Sequence, residues 1–174
     1  MDSDNEIVGY TVAYDRDEIQ FPVYVVAVVA VVLFAGAAIT ANPLLFLVSL
    51  APAAATYYNY PLLETGRPRL GAGQYGIFIE GLGLIQWRAI AHLDIVANPI
   101  RGVDHRELQI SLKMPIADAL LLDWRRRPWL RAAMRLPWSL GRSDVIRIAL
   151  EVFDQPAADI HGKLDRMWRY FRKQ

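Results

Sequence analysis

With 174 residues, the chain has room for one small folded domain and one further element, and not for several domains. It contains no cysteine, which excludes disulfides, thiolate chemistry and cysteine-ligated zinc or iron–sulfur centres. The formal net charge of +1 hides an asymmetry: residues 1–20 carry six acids against Arg16, and residues 64–174 carry 18 Lys/Arg against 12 Asp/Glu.

The first segment is acidic (Asp2, Asp4, Glu6, Asp15, Asp17, Glu18). A signal peptide opens with basic residues and has a short apolar core, so the helix that follows is expected to be retained. Ile7–Ala13 is a candidate edge strand for a later sheet.

Between Glu18 and Glu64 lie 45 residues without one charged side chain. A bilayer core about 30 Å thick needs roughly 20 apolar residues per helix, so this run is too long for one span and suits two. Ala41-Asn42-Pro43 interrupts it near its middle, which predicts a transmembrane hairpin over 21–63 with spans near Phe21–Thr40 and Pro43–Leu63. Arg16 precedes the first span, and Arg67, Arg69 and Arg88 follow the second, whereas the connecting turn is uncharged. Both termini are therefore expected in the cytoplasm. Tyr24, Tyr57, Tyr58 and Tyr60 would be interfacial aromatics on that side. Small residues at four-residue spacing, Gly36…Thr40 and Ala51…Ala55, suit close helix approach, either within the hairpin or against a partner's helix. Neither span holds an ionisable residue of the kind that ion pathways use, which argues against a transporter or pump.

After Pro68 the pattern changes to period two. Tyr75, Ile77 and Ile79 alternate with Gly76, Phe78 and Glu80, Gly81-Leu82-Gly83 reads as a turn, and Leu84–Trp87 returns. Ile90–Val96 is a third strand with Leu93 and Ile95 inward, and His92 and Asp94 outward. In Arg106–Lys113, Leu108, Ile110 and Leu112 alternate with polar residues, and Asp144–Phe153 repeats this with Ile146, Ile148, Leu150 and Val152. Ile160, Leu164, Met167, Trp168 and Phe171 then form a helical stripe after Pro156, with Arg169, Arg172 and Lys173 toward its negative end. The expected fold is a mainly antiparallel β domain over 64–174, closed by a C-terminal helix, in the order of a pleckstrin-homology-like barrel.

The stretch Tyr75-Gly76-Ile77-Phe78-Ile79, then Leu84-Ile85-Gln86-Trp87, then Ile90 and Ile95, resembles bacterial membrane proteins in which a two-helix hairpin precedes a pleckstrin-homology-like domain. The resemblance implies a fold and a topology at the bacterial inner (cytoplasmic) membrane, and brings no catalytic residues with it. The long connection Met114–Ser143 departs from the simple pattern.

Within that connection, Asp123–Arg142 holds six Arg and three Trp against one Asp. Pro128 can begin a short helix and Pro137 can end it, with Trp129, Ala132, Ala133 and Leu136 on one side and Arg131 and Arg135 on another. Trp124, Arg125, Arg126, Arg127, Trp129, Arg131, Arg135 and Trp138 are candidate contacts for a membrane surface or a partner protein. The competing reading is a helix packed on the barrel with solvated arginines. Nucleic acid fits poorly, because the rest of the domain is not strongly basic.

Two features imitate chemistry. Gly71-Ala72-Gly73-Gln74-Tyr75-Gly76 matches the dinucleotide fingerprint, yet a strand pattern follows where a helix is required. His92 and Asp94 share a strand face, but two ligands make a poor metal site; His105 sits in the charged turn Arg101–Arg106, and His161 near the start of the last helix is expected to be solvated. Ser111, Ser139 and Ser143 lack a nucleophile elbow. No catalytic, cofactor-binding or metal site is expected. The leading expectation is a non-catalytic module acting on another membrane protein, as an accessory subunit or assembly factor. The alternatives are an anionic-lipid sensor and an enzyme acting on a lipid-borne substrate.

Overall fold

A computed structural model describes residues 9–64, 66–100, 103–126, 128–141 and 144–173. The chain divides into two compact units. One comprises Met1–Tyr14, Gly66–Arg127 and Leu136–Gln174; the other comprises Asp15–Thr65 and Pro128–Arg135. Two segments therefore lie elsewhere than the sequence division at residue 64 places them. Residues 9–14 belong with the β unit, and residues 128–135 belong with the helical unit.

The β unit is built of two antiparallel sheets. The first has five strands in the order β1 (Tyr10–Val12), β2 (Leu70–Gly73), β3 (Gly76–Ile79), β4 (Gly83–Gln86) and β7 (Leu120–Asp123). The second has four, in the order β5 (Ile90–Ile100), β6 (Val103–Leu112), β9 (Val145–Ala149) and β8 (Trp138–Leu140). The candidate edge strand near the N-terminus is β1, which pairs with β2 from Tyr10↔Ala72 to Val12↔Leu70. Alternation sends Val12, Leu70, Ile77, Ile79 and Ile85 of the first sheet, and Leu108, Ile110, Ile146 and Ile148 of the second, into the core. Helix α5 (Ala157–Phe171) adds Ile160, Leu164, Met167 and Trp168 to it, as the stripe predicts. Residue Phe171 is only half-buried and stacks on Trp87, with ring centroids 6.0 Å apart.

The connection 114–143 supplies the one-turn helix α3 (Ile116–Ala119) and the edge strands β7 and β8. Three expectations need correction here. The last strand stops at Ala149, and Leu150–Val152 forms a 3-10 turn in place of a continued ladder; Leu150 is buried and Val152 only partly so. Trp87 has left β4 for the 3-10 turn Trp87–Ala89, where its indole N–H donates to the Gly73 carbonyl at 2.8 Å. His105 lies in β6 opposite Asn98, not in a turn, and Arg101 and Gly102 lie outside the described residues.

The helical unit contains α1 (Arg16–Thr40), α2 (Pro43–Asn59) and a 3-10 turn, Tyr60–Leu63. The break falls at the anticipated Ala41-Asn42-Pro43. Ala41 adopts a left-handed φ of 48°, the Asn42 carboxamide oxygen accepts the Leu44 N–H at 2.9 Å, and Pro43 occupies the first helical position, where no N–H is needed. Of the described helices, one segment, Gln20–Thr40, is long and apolar enough to cross a membrane. The fourth helix, α4 (Trp129–Ala132), is a single turn.

Candidate membrane interface

The helical pair is apolar on its outside, and α1 is apolar inward as well, through Val23, Leu33 and Ala37; polar side chains face inward from α2. The inward stripe of α2 is Leu45, Ser49, Pro52, Thr56 and Asn59, spaced alternately by four and three residues. Its most buried member is Ser49, whose hydroxyl donates to the Phe46 carbonyl at 2.7 Å. The Thr56 hydroxyl donates to the Pro52 carbonyl and the Asn59 amide to that of Ala55, both at 2.9 Å. The polar atoms thus turn back on their own helix and ask nothing of a solvent. Outward, Val28, Val31, Val32 and Ile39 of α1 and Leu44 and Leu47 of α2 are each more than 60% exposed. Ala37 of α1 and Ser49 of α2 are both buried, while Ala51 and Ala55 are exposed.

Pro61 has no N–H for the Tyr57 carbonyl, and the chain tightens into the 3-10 turn there. The N–H of Tyr60 bonds Tyr57 instead, and the Tyr58 carbonyl accepts the Arg135 N–H at 2.8 Å. The Tyr57 hydroxyl donates to the Leu130 carbonyl, and Arg131 faces Glu64 at 3.8 Å. Arg135 would otherwise continue the Pro128–Pro137 helix by bonding Arg131. Its donor is taken by Tyr58, so α4 stops after one turn instead of running to Pro137. Trp129 is 82% exposed, and Leu130 and Arg131 are about half exposed. The candidate interfacial aromatics Tyr24, Tyr57, Tyr58 and Tyr60 are all exposed members of this same unit.

Trp124, Arg125, Arg126 and Trp138 lie in the β unit. Arg125 is engaged at home: its Nη2 is 2.7 Å and its Nε 3.1 Å from Asp123 Oδ2, and its backbone N–H donates to Oδ1 at 2.9 Å. These hydrogen bonds hold the Asp123 carboxyl down to about 2. Arg126 is exposed, and Arg127 lies outside the described residues. Trp138 is half-buried and donates its indole N–H to the Glu80 carbonyl at 3.1 Å. Trp124 is 45% exposed and meets Phe78 edge-on at 5.4 Å.

That ring pair belongs to a surface that sequence reasoning missed. One cross-strand row on the outer face of the five-stranded sheet runs Thr11, Gly71, Phe78, Leu84 and Leu122. Its three large members are apolar, and Leu122 is half exposed. Beside it, Gly71, Gly73 and Gly76 leave an apolar hollow of about 230 Å³ bounded by Tyr75 and Phe78. The apolar Phe78 at an outward position was the available signal. The fingerprint-like glycines are the β2–β3 hairpin, not a strand-to-helix phosphate loop.

Among the histidines, His92 is exposed, and the His105 Nδ1 pairs with Glu151 at 2.7 Å. His161 is not solvated as expected: it is half-buried, with Nε2 3.0 Å from the Leu93 carbonyl. Among the described residues, no three His, Asp or Glu side chains converge as metal ligands would. Comparison of the chain with family models, with curated proteins and with solved structures finds no match.

Proposed function

We propose that this chain is a non-catalytic, membrane-anchored interaction module with a pleckstrin-homology-like domain, acting as an accessory subunit or assembly factor for another protein of the bacterial cytoplasmic membrane. The observation that carries the anchoring is the uncharged, apolar outer shell of the helical pair. A hairpin in water hides apolar side chains and shows polar ones. Here the apolar side chains are shown, and the Ser49 and Thr56 hydroxyls of α2 are satisfied by their own helix. Gln20–Thr40 has 21 residues, about 31 Å of helix, which matches a bilayer core.

The pairing of β1 with β2 supports a second span. These strands flank the helical pair in sequence and share one sheet. A chain that leaves a sheet at Val12 and rejoins it at Leu70 crosses a bilayer an even number of times. If α1 crosses, α2 returns, and its 17 residues with the 3-10 turn give roughly 34 Å. Two antiparallel sheets followed by a C-terminal helix support the pleckstrin-homology-like reading. Arg67 and Arg88 on the flanks favour cytoplasmic termini; Arg69, at 1% exposure, no longer counts toward that bias.

The partner reading rests on the outward row Phe78, Leu84 and Leu122 beside Trp124. An apolar row on the outer face of a sheet suits a docked protein better than water. The test is purification in mild detergent of the wild-type chain and of Leu122→Arg. A membrane protein that co-purifies at fixed stoichiometry with the wild type and is lost from the variant, with thermal stability unchanged, is the expected result. A wild-type chain that always purifies alone would overturn the accessory role.

A further inference from the structure

We propose that Pro128–Arg135 is an interfacial foot of the helical unit, lying in the headgroup layer of an anionic leaflet with Trp129 and Leu130 toward the acyl chains and Arg131 toward the phosphates. This rests on the reading that the helices are embedded in a bilayer. Within one compact unit, the segment is tied to the very end of α2, where the apolar shell gives way to tyrosines: Arg135 N–H to the Tyr58 carbonyl, and the Tyr57 hydroxyl to the Leu130 carbonyl. It is thereby continuous with the surface the lipid would cover. It shows its apolar side chains instead of packing them, with Trp129 82% and Leu130 52% exposed. Its only charges are Arg131 and Arg135, both cationic, and Arg131 stands 3.8 Å from Glu64, longer than a tight ion pair. An exposed tryptophan with cations at the level of a tyrosine girdle matches an anionic headgroup layer.

The absence of cysteine permits a clean test on the full chain in vesicles. Single substitutions Ala133→Cys, Val28→Cys and Lys113→Cys are spin-labelled, and collision with lipid-soluble oxygen is compared with collision with a water-soluble nickel chelate. Ala133 is one helical turn from Trp129 and leaves it intact. In phosphatidylcholine vesicles containing phosphatidylglycerol, labels at both 28 and 133 are expected to favour oxygen, and the label at 113 nickel. Adding Arg131→Gln is expected to lower the docked-to-undocked ratio at 133 about fivefold, the loss for one basic residue at an anionic leaflet. An oxygen-favouring label at 28 with a nickel-favouring label at 133 would overturn the foot while leaving the anchor in place. A nickel-favouring label at 28 would overturn the anchor and the foot with it. Equal immersion at 133 in pure phosphatidylcholine, indifferent to Arg131→Gln, would overturn the anionic leaflet. Should Ala133→Cys fail to fold, loss of brominated-lipid quenching in Trp129→Phe relative to the wild type reads the same contact, and unchanged quenching counts against it.

Discussion

Arg69 is almost fully buried, yet it is cationic and stands one residue before a core strand. Its guanidinium pairs with Glu80, and it also lies over the Tyr14 ring at 5.1 Å. The backbone fixes this meeting: the Arg69 N–H donates to the Val12 carbonyl, and the Glu80 N–H to the Arg69 carbonyl, each at 2.9 Å. Glu80→Ala removes the carboxylate partner of a desolvated charge and is expected to destabilise the β unit by about 2 kcal/mol, discounted because Glu80 itself is one-third exposed. The double variant Arg69→Met/Glu80→Leu is expected to recover most of that loss; thermal unfolding of the detergent-solubilised chain checks both. Tyr10 allows a pH prediction. Burial, then Asp154 and Asp159, push its hydroxyl up to about 12 from 10.0, and it donates to the Gln155 carboxamide at 2.8 Å. The proton is held more tightly in the folded state, so this stabilisation is complete below pH 10 and fades as pH rises toward 12. Tyr10→Phe is expected to lose about 1 kcal/mol at pH 8 and to show a shallower decline of melting temperature between about pH 10 and 12 than the wild type.

At the scale of elements, a strand can be read only where its side chains alternate. β3, β6 and the start of β9 do alternate, and each lies where periodicity puts it. β7 reads Leu-Leu-Leu-Asp with a register shift opposite Leu84/Ile85, and β8 is three residues long. Neither carries a period-two signal, so the pairing partner defines them. Gly83 is where β7 becomes possible. Its φ is +131°, and a Cβ there would lie 1.8 Å from the Leu122 carbonyl oxygen. Gly83→Ala must both strain the backbone and push β7 off the sheet edge, for an expected loss of about 1–3 kcal/mol or more. Gly73→Ala is the matched control, because a Cβ at that position meets nothing within 4 Å. Thermal unfolding should separate the two, with Gly73→Ala within about 0.5 kcal/mol of the wild type. For the segment 128–135 the sequence records the helix start at Pro128 but not where the segment docks. Its placement follows from one backbone carbonyl, that of Tyr58, left by the turn at Pro61 to accept the Arg135 N–H, and no side-chain pattern records such an opening.

At the scale of the molecule, composition already separates an apolar helical part from an alternating part, because a long uncharged run and a period-two pattern are both local properties. What composition cannot supply is closure. The strand Tyr10–Val12 is three residues long, and its partner Leu70–Ala72 follows only after both long helices have been traversed, so the fold alone joins them. On the membrane-anchored reading, that closure sets the parity of the crossings, which yields the last prediction. On that proposal, the sheet shared by β1 and β2 puts Val12 and Leu70 on one side of the bilayer, and the turn at Ala41 is expected on the other. The chain has no cysteine of its own, so a single introduced thiol reports its own side without background. Ala41→Cys, Tyr75→Cys and Lys113→Cys, each at an exposed position, are to be treated with a membrane-impermeant maleimide in intact cells and in inverted vesicles. Thiols at 75 and 113 are expected to react only in inverted vesicles, and the thiol at 41 only from the outer face. The positive residues flanking the helices give the direction, and the shared sheet gives the evenness. Reaction at 41 and 75 from the same side would mean that the helices do not traverse the bilayer. Reaction at 75 from the outer face and at 41 from the inner would preserve two crossings and reverse the orientation. The three labelling patterns are mutually exclusive, so the parity and the direction of insertion are tested separately.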